Sequence, residues 1–456
     1  MVFRALPRLM FLRRPCLSYP QRLIQKSRIF LSAPYSNPSP SYIRYEIIED
    51  VEWLSDYQPG GYHPIQIDDR LHNRYRIVHK LGYGTFSTVW LALDEQNSKY
   101  VAVKVGTADA DRQEADILSQ LRRGVVASRE ASMIPPALDR FDLEGPNGTH
   151  PCFVTFPARC SLRNARGPSD SGLFQLDVAR SLAAQLTLAI ALVHSQGYAH
   201  GDLHVDNLLL QLPSPLANLS VEQLYAKFGA PKQEPVVRVD GKSISSGVPS
   251  HVIPPMWLGA ASDKIPLGEA RLLLNDFGTA FRPADKSRFE SYTPLFIRPP
   301  EALFEPTTPL SFASDIWSLG CTIFELLAHR SLIDGFFATQ DDITAQQVHL
   351  QGPLPSEWWD RWAERPKWFD EVGKPLSNPC DIWPWDRIFE QYIQETRQSS
   401  GMGVINEEER AALLRLLKWM LAWRPKERPT ADEVLKTTWM RKWALPAYGE
   451  SRKAWK

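Results

Sequence analysis

The sequence predicts an α+β fold with two lobes, a small strand-rich lobe with one helix followed by a larger, mainly α-helical lobe. Residues 74–94, RYRIVHKLGYGTFSTVWLALD, alternate apolar and polar side chains around a Gly-containing turn, which indicates a β-hairpin. Residues 99–106 predict a third strand, and residues 111–123 carry apolar side chains at helical spacing. HPCFVTF, at 150–156, predicts a further short strand, and helical patterns dominate from Leu176 onward.

Composition and charge exclude several classes of function. The chain has 456 residues, of which 43% are hydrophobic and 23% are charged, as is usual for globular proteins. Lys and Arg number 52, as do Asp and Glu, so no global charge favours nucleic acid or an anionic membrane as a partner. The five cysteines lack metal-ligand spacing, which indicates reduced thiols in an intracellular protein. The longest apolar run, around residues 188–193, is short and interrupted, so we expect no membrane span.

Residues 1–45 differ from the rest of the chain. Basic residues alternate with apolar ones, and the first acidic residue is Glu46. An Arg-rich, acid-free start is typical of a mitochondrial transit peptide, and a disordered basic tail is the alternative. A second unusual segment, residues 212–270, is rich in Pro, Gly and Ser. A connection of this length is usually either functional or disordered.

The turn of the predicted hairpin is a candidate phosphate-binding loop. Glycines let the backbone approach a phosphate closely and permit positive φ angles. A glycine-rich hairpin turn is also structurally ordinary, and Ser87 stands where the common phosphate-loop pattern has a third Gly. The candidate nucleotide-binding residues of this turn are Gly82, Tyr83, Gly84, Thr85, Phe86, Ser87 and Val89.

Lys104 lies on the strand that follows this turn. A lone Lys on an apolar strand is often an edge residue with its ammonium group in water. At this distance from a glycine-rich hairpin, however, it matches the Lys that holds the α- and β-phosphates of ATP. Such a Lys needs an anionic partner, and Glu114 on the predicted helix is the candidate. A solvated glutamate on a helix face is the alternative for Glu114.

The segment YAHGDLHVDN, residues 198–207, has the composition of a catalytic loop. Asp202 would orient a substrate hydroxyl and accept its proton, and Asn207, five residues later, would ligate Mg²⁺. His200 would brace the loop from behind. Asp276, which opens the triplet DFG after a run of leucines, would be the second metal ligand. Because Mg²⁺ is usually shared with nucleotide phosphates, one Asp and one Asn are a sufficient protein contribution.

In this order, these segments resemble the eukaryotic protein kinases over roughly residues 70–445. The downstream motifs RPPE, DIWSLG and ERPT agree with the resemblance. The resemblance implies a buried structural ion pair between Glu301 and Arg428 and a structural role for Asp315. It also implies ATP and Mg²⁺ as cofactors. The residues implied to enclose the adenine are Leu81, Val89, Ala102 and Leu209, with Thr155 behind the base and a hinge at residues 156–158.

The loop HGDLHxxN has a second resemblance. It is similar to the phosphate-transfer loop of small-molecule kinases such as aminoglycoside and choline phosphotransferases. These enzymes share the mechanism but lack the motifs further along the chain, so RPPE, DIWSLG and ERPTADE favour the protein kinases.

Within the protein kinases, the chain is similar to the SR-protein kinases of the CMGC group. The similarity lies in YQPGGYHPI at 57–65 and in the flanking motifs HKLG and FSTVWL. The resemblance implies a serine/threonine kinase, located in the cytoplasm or nucleus, that phosphorylates Arg/Ser-rich proteins of mRNA splicing. A mitochondrial leader fits poorly with that location. We expect a monomer with a protein substrate, and no direct contact with nucleic acid.

The resemblance also divides the chain. The expected parts are a basic leader, an extension with the GGYHP motif, the two lobes and a tail. They span residues 1–45, 46–73, 74–158, 159–445 and 446–456, with a spacer-like insert at 212–270 and a CMGC-type insert at 340–373.

Two residues depart from the family pattern. Gly201 replaces the Arg that responds to phosphorylation of the activation loop in many kinases, so we expect activity without that phosphate. His204 replaces the Lys that usually contacts the γ-phosphate. A neutral imidazole carries no full charge, so transfer would be slower or more pH-dependent. A weakly active pseudokinase scaffold is therefore a further alternative, which the retention of Lys104, Asp202 and Asp276 argues against.

Residues 341–371 are rich in carboxylates and tryptophan. One interpretation is an acidic groove for Arg-rich peptides, since carboxylates pair bidentately with guanidinium groups. The other is a solvated helical surface. The carboxylates are Asp341, Asp342, Glu357, Asp360, Glu364, Asp370 and Glu371. Trp358, Trp359, Trp362 and Trp368 are expected to pack the insert onto the large lobe.

Overall fold

The computed structural model describes residues 44–123, 129–213, 216–376 and 382–455. These residues belong to one compact unit with a sheet-rich N-terminal lobe and a helical C-terminal lobe, so the predicted α+β class and lobe order are confirmed. The predicted basic leader, residues 1–45, lies outside the described residues except for its last two.

An antiparallel sheet of six strands forms the small lobe, in the order β1-β2-β3-β4-β6-β5. The strands are β1 Arg70–Leu71, β2 Tyr75–Gly84, β3 Ser87–Asp94, β4 Lys99–Gly106, β5 Asp139–Gly145 and β6 Gly148–Thr155. The hairpin β2–β3, the strand β4 and the strand β6 follow the prediction. The strand β5 is not predicted, because its sequence, DRFDLEG, is mostly charged and half exposed at this sheet edge, so it lacks an apolar stretch.

The helix α1 spans Glu114–Arg123 and begins three residues later than the apolar pattern indicates. The side chain of Asp111 accepts a hydrogen bond from the backbone N–H of Gln113, which holds the preceding residues in a turn. Ile117, Leu118 and Leu121 face the hydrophobic core that continues into the large lobe. The helix therefore presents Glu114, at its first turn, to the space between the lobes.

A three-stranded antiparallel sheet lies where the small lobe leads into the large lobe. Its strands are β7 Ala158–Ser161, β8 Leu208–Gln211 and β11 Leu272–Leu274, and β8 lies in the centre. Leu208, at the start of β8, pairs with Leu274, at the end of β11. Because the pair is antiparallel, the loop before β8 and the loop after β11 emerge at the same edge. This pairing brings together the two predicted metal ligands, which are 69 positions apart in the numbering of the chain.

The helices of the large lobe surround α3. They are α2 Leu162–Arg166, α3 Leu176–Ser195, α5 Glu301–Phe304, α6 Phe312–Leu327, α7 Gln340–Gln351, α8 Ser356–Arg361, α9 Trp385–Phe389, α10 Glu395–Ser399, α11 Glu407–Met420, α12 Ala431–Lys436 and α13 Leu445–Lys453. By length and composition alone, α3 is apolar enough to cross a membrane, contrary to the expectation from its apolar run. However, 78% of that apolar stretch is buried within the fold, so here it is the central core helix.

The insert at residues 212–270 is folded where the structure describes it. It contains the helix α4 Val221–Phe228 and the paired strands β9 Glu234–Pro235 and β10 His251–Val252. Leu224 and Met256 of the insert pack against Val78 and Leu91 of the small-lobe sheet. The insert thus covers one face of the sheet, and the alternative of disorder is not observed for its described residues.

The tryptophan-rich insert packs as predicted. Trp358 and Trp362 are buried with Phe304 of α5, and the ring of Trp358 stacks on that of Phe304. Trp359 and Trp368 cover the same cluster. The four indoles therefore attach the insert to the large lobe.

The ion pair between Glu301 and Arg428 is present and buried. Arg428 Nη2 lies 2.6 Å from Glu301 Oε2, and Nη1 lies 2.8 Å from Oε1. Arg428 also donates to the backbone carbonyl groups of Ala313, Ala422 and Trp423. It therefore joins the start of α6 to the segment after α11.

We expect Arg428→Met to lower the free energy of unfolding by about 3–5 kcal/mol, because Glu301 would be left buried without its partner. Urea denaturation followed by tryptophan fluorescence measures this loss. The double variant Glu301→Gln/Arg428→Met leaves no unpaired charge and should recover part of it. A loss below about 1 kcal/mol for the single variant, the range of an exposed pair, would contradict a structural role for this ion pair.

Candidate active site

Lys104 lies between two carboxylates from distant parts of the chain. Its Nζ atom is 2.7 Å and 3.0 Å from the two carboxylate oxygens of Glu114, and 3.0 Å from Oδ1 of Asp276. The three residues come from β4, α1 and the loop after β11. Lys104 and Glu114 are largely buried, which strengthens the contact between them, since few water molecules compete for their charges. The predicted partner, Glu114, thus lies in direct contact with Lys104, and the phosphate-binding role of the pair stays a prediction.

The charges of this cluster stabilise one another. Burial would lower the pKa of Lys104, but the charges of Asp276 and Glu114 outweigh burial and raise it. Lys104 in turn holds the pKa of Asp276 below its ordinary value, so this residue remains a carboxylate at neutral pH. Burial raises the pKa of Glu114, and Lys104 opposes that effect. The backbone N–H of Phe277 also donates to Glu114, at 3.2 Å, and so ties α1 to the DFG triplet.

The glycine-rich turn is the tip of the β2–β3 hairpin, with Thr85 and Phe86 between the strands. Neither Gly82 nor Gly84 has a positive φ angle, so the turn does not use that freedom of glycine. A Cβ atom at either position would meet no other atom within 4 Å. The two glycines therefore leave open space above the strand ends, which fits a loop that closes over a bulky anion.

The residues expected around the adenine occupy both lobes. Val89 pairs with Lys104 across β3 and β4, and Ala102 pairs with Thr155 across β4 and β6, so each pair shares a face of the sheet. Leu81, near the end of β2, is half-buried on the side covered by the insert. Leu209 lies on β8 in the large lobe. Residues 156–157 connect β6 to β7, as expected of a hinge.

The catalytic loop is fixed from behind by Asp315. Its two carboxylate oxygens accept the backbone N–H groups of His200 and Gly201, at 2.7 Å and 2.9 Å. The ring of His200 accepts the N–H of Asp202 at Nδ1 and lies 3.1 Å, through Nε2, from the carbonyl of Asn275. The ring of His200 thus links the catalytic loop to the residue before Asp276, as a bracing role requires.

Asp202 and Asn207 are joined by hydrogen bonds. Asn207 Nδ2 donates to the backbone carbonyl of Asp202 at 2.9 Å and to its Oδ2 atom at 3.2 Å. The amide is therefore oriented with its amino group toward Asp202, which leaves its carbonyl oxygen as the atom available to a metal ion. The backbone carbonyl of Asn207 accepts the N–H of Asn275 at 2.9 Å and places Asp276 beside it. Asp276 has φ +64, a conformation uncommon for non-glycine residues.

These residues fit a shared Mg²⁺ ion. Among the described residues, no group of three or more His, Cys, Asp or Glu side chains that could hold a metal was found. Asp276 and Asn207 alone make an incomplete coordination shell, which suits an ion that takes its other ligands from phosphates and water. The side chain of Asp276 is 44% exposed and faces the open cleft.

His204 differs from the expected neutral imidazole. Its Nε2 atom lies 3.4 Å from Asp202 Oδ1, and its Nδ1 atom lies 3.2 Å from Asp206 Oδ2. Burial would lower the pKa of His204, but the hydrogen bonds and charges of the two aspartates outweigh it and raise the pKa to about 9. The expectation that His204 carries no full charge was therefore wrong, because sequence reasoning did not include Asp206. At neutral pH a cation stands where the family has Lys.

The space beside Gly201 is filled by Arg288. Gly201 has φ +77, and a Cβ atom there would lie 3.1 Å from the carbonyl of Thr279 and 3.6 Å from Arg288 Nη1. Arg288 donates to that same carbonyl and stacks on the rings of Phe281 and Tyr292. A guanidinium group from the segment after DFG thus lies beside Gly201. Sequence reasoning missed Arg288, since only the tertiary structure shows its neighbours. Activity without phosphorylation stays a prediction.

The two aspartates proposed as an acidic dock have structural partners. Asp342 accepts hydrogen bonds from the backbone and the hydroxyl of Thr339 and caps α7. Asp341 Oδ1 accepts the indole N–H of Trp362 at 2.8 Å. Both carboxylates therefore stabilise the insert, and their role in docking stays a prediction.

Comparison with known proteins agrees with this geometry. The protein kinase domain family matches residues 75–217 and 265–440. The chain therefore belongs to the protein kinase domain family. A crystal structure of a kinase domain, 21% identical, covers 82% of this chain and 98% of its own chain with a TM-score of 0.57, which shows the same fold.

Two curated relatives are serine/threonine kinases. One, from Aspergillus fumigatus, is 24% identical over 434 residues, which are 91% of this chain and 98% of that protein. The other, the serine/threonine-protein kinase SRPK of Physarum polycephalum, is 26% identical over 423 residues, which are 85% of this chain and 91% of that protein. The predicted serine/threonine kinase class, with its similarity to SR-protein kinases, is confirmed. A small-molecule phosphotransferase is not favoured, because the match includes residues 265–440, where the downstream motifs lie.

We expect His204 to make the reaction rate sensitive to alkaline pH. With a pKa of about 9, the ring is protonated at neutral pH and loses its charge as the pH rises through that value. Lys at this position would stay protonated to higher pH. Between about pH 7.5 and about pH 9.5, the ratio of the wild-type rate to that of His204→Lys should fall roughly three- to fourfold. Steady-state phosphorylation at saturating ATP measures it. A ratio that is constant over this range would contradict a charged, rate-relevant His204.

Proposed function

We propose that this kinase transfers the γ-phosphoryl group of Mg-ATP to the hydroxyl of Ser or Thr in Arg/Ser-rich proteins. The observation that supports the reaction most strongly is the convergence of Lys104, Asp276 and Glu114 next to the bonded pair of Asp202 and Asn207. The family implies ATP with a divalent metal ion. The choice of Mg²⁺ is supported by the oxygen ligands of Asp276 and Asn207.

Catalysis would rest on positioning and charge neutralisation. Lys104, held by Glu114, binds phosphate oxygens of the nucleotide. Asp276 and Asn207 would hold Mg²⁺, which would supply positive charge against the phosphates. Asp202 orients the substrate hydroxyl and accepts its hydrogen bond. Most of the groups are already aligned by their mutual contacts, so little reorganisation accompanies the reaction.

The cationic ring of His204 would act beside Asp202. It lies 3.4 Å from the carboxylate of Asp202, the group that would orient the substrate hydroxyl. Its partner Asp206 is held in turn by Arg163, whose Nε atom is 2.8 Å away. This chain of contacts keeps the ring oriented and lets it supply the positive charge that the family takes from Lys.

Arg/Ser-rich substrates are supported by two features. The first is the similarity to SRPK of Physarum polycephalum over most of both chains. The second is the excess of carboxylates over basic residues in the insert 341–371, where guanidinium groups would find partners. Most of these carboxylates already have partners within the chain, so an Arg-rich substrate would compete with those partners. Asp341, Asp342 and Asp370 accept hydrogen bonds within the insert, and Glu357, Asp360 and Glu364 pair with Arg424, Arg365 and Lys367.

Phosphorylation of arrayed peptides tests the proposal. Arrays with Arg-Ser, Ser-Pro and acidic Ser sequences are incubated with the full chain and Mg-ATP, and phosphoserine is identified by mass spectrometry. We expect Arg-Ser peptides to be phosphorylated most strongly and Asp202→Asn to abolish the signal. The Asp202→Asn variant keeps Asp206, so the catalytic loop loses only one of its two negative charges.

Preference for Ser-Pro or acidic peptides would overturn the substrate class and leave the kinase activity intact. Phosphorylation of none of the peptides by the wild-type chain, under conditions where a related kinase is active, would overturn the proposed activity.

A further inference from the structure

The GGYHP segment of the N-terminal extension reaches the tip of the glycine-rich turn. The side chain of Tyr62 is 3% exposed and packs with Leu54 and Tyr57 of the same extension. Its hydroxyl oxygen lies 2.6 Å from the carbonyl oxygen of Gly84 and 3.3 Å from that of Thr85. A tyrosine hydroxyl has one proton to donate, so its main acceptor in the turn is Gly84.

The glycines before Tyr62 fix its backbone. Gly60 has φ +87 and donates its N–H to the carbonyl of Asn147 in the β5–β6 hairpin. A Cβ atom on Gly61 would lie 1.9 Å from the backbone oxygen of Asp56, so only glycine fits there. The side chain of Asn147 donates to the carbonyl of Tyr62 at 2.7 Å. The β5–β6 hairpin therefore holds the backbone of Tyr62, and the hydroxyl of Tyr62 in turn holds the β2–β3 hairpin.

The direction of these contacts orients the turn. The described peptide bonds include no cis bond, and in a trans peptide the C=O of one residue points opposite to the N–H of the next. Because the carbonyl groups of Gly84 and Thr85 point toward Tyr62, the N–H groups of Thr85 and Phe86 point away from it. Backbone N–H groups of such turns are the groups that bind phosphate oxygens.

We propose that Tyr62 is a positioning residue for nucleotide binding, whose hydroxyl holds the glycine-rich turn with its backbone N–H groups directed at the phosphates of ATP. This inference rests on the proposed ATP-dependent function. Glycines have the most backbone freedom of any residue, so a turn with Gly82 and Gly84 loses much entropy when it closes on a ligand. A turn that is already held by Tyr62 loses less, which strengthens binding without a new contact to the ligand.

The test compares Tyr62→Phe with Tyr225→Phe in the full chain. The control removes the same kind of bond from the same strand, because the hydroxyl of Tyr225 donates to the carbonyl of Val78 on β2 at 2.8 Å, six residues before Gly84. Calorimetry with Mg²⁺ and a non-hydrolysable ATP analogue gives the affinity of each variant. Tyr62→Phe should weaken binding about 2- to 10-fold, the range expected for one lost hydrogen bond, and should raise KM for ATP more than it lowers kcat.

Tyr225→Phe should leave the affinity within about twofold of the wild type, even where both variants lower the melting temperature alike. Equal affinity of Tyr62→Phe and wild type would overturn the inference, as would an equal loss in both variants, since either result leaves Tyr62 a purely structural residue. Binding is measured separately from turnover, so a wild-type chain that binds the analogue but transfers no phosphate would overturn the proposed function and still decide the role of Tyr62.

Discussion

The ion cluster of Lys104, Glu114 and Asp276 is the constraint on which the rest of the site depends. A buried ammonium group is costly unless opposite charges and hydrogen bonds surround it, and here two carboxylates from different elements do so. Both ion pairs of Lys104 form only when α1 lies against β4 and the DFG triplet lies next to both elements. One set of contacts therefore fixes the small lobe, the helix and the metal-binding residue relative to one another.

Two sets of backbone hydrogen bonds complete this arrangement. The pairing of β8 with β11 delivers Asn207 and Asp276 to the same edge, and Asp315 holds the catalytic loop by two backbone N–H groups. The N-terminal extension and the insert at 212–270 pack against each other and onto the small lobe. Segments outside the residues matched by the kinase family therefore pack against the lobe that carries the glycine-rich turn.

The sequence predicts the residues whose chemistry is tied to a fixed spacing. Lys104, Asp202, Asn207 and Asp276 belong to short motifs, and their strand, loop and helix contexts follow from local patterns. Properties that arise from tertiary neighbours were not predictable in this way. The place of Arg288 beside Gly201 depends on how its segment folds back. The charge of His204 depends on how the catalytic loop folds Asp202 and Asp206 around the ring, which their positions in the sequence do not fix. The strand β5 was missed because pairing at a charged sheet edge, and not an apolar pattern, defines it.

The most direct test of the central claim is phosphoryl transfer by Asp276→Ala beside the wild type. Asp276 touches Lys104 and would hold Mg²⁺, so its loss should lower kcat by on the order of 10²–10³-fold or more, as removal of a preorganised charge does. Asp285→Ala, in the same segment but 66% exposed, is the matched control and should keep the wild-type rate. Equal rates for Asp276→Ala and the wild type would mean that this cluster performs no catalysis, and the account would be wrong.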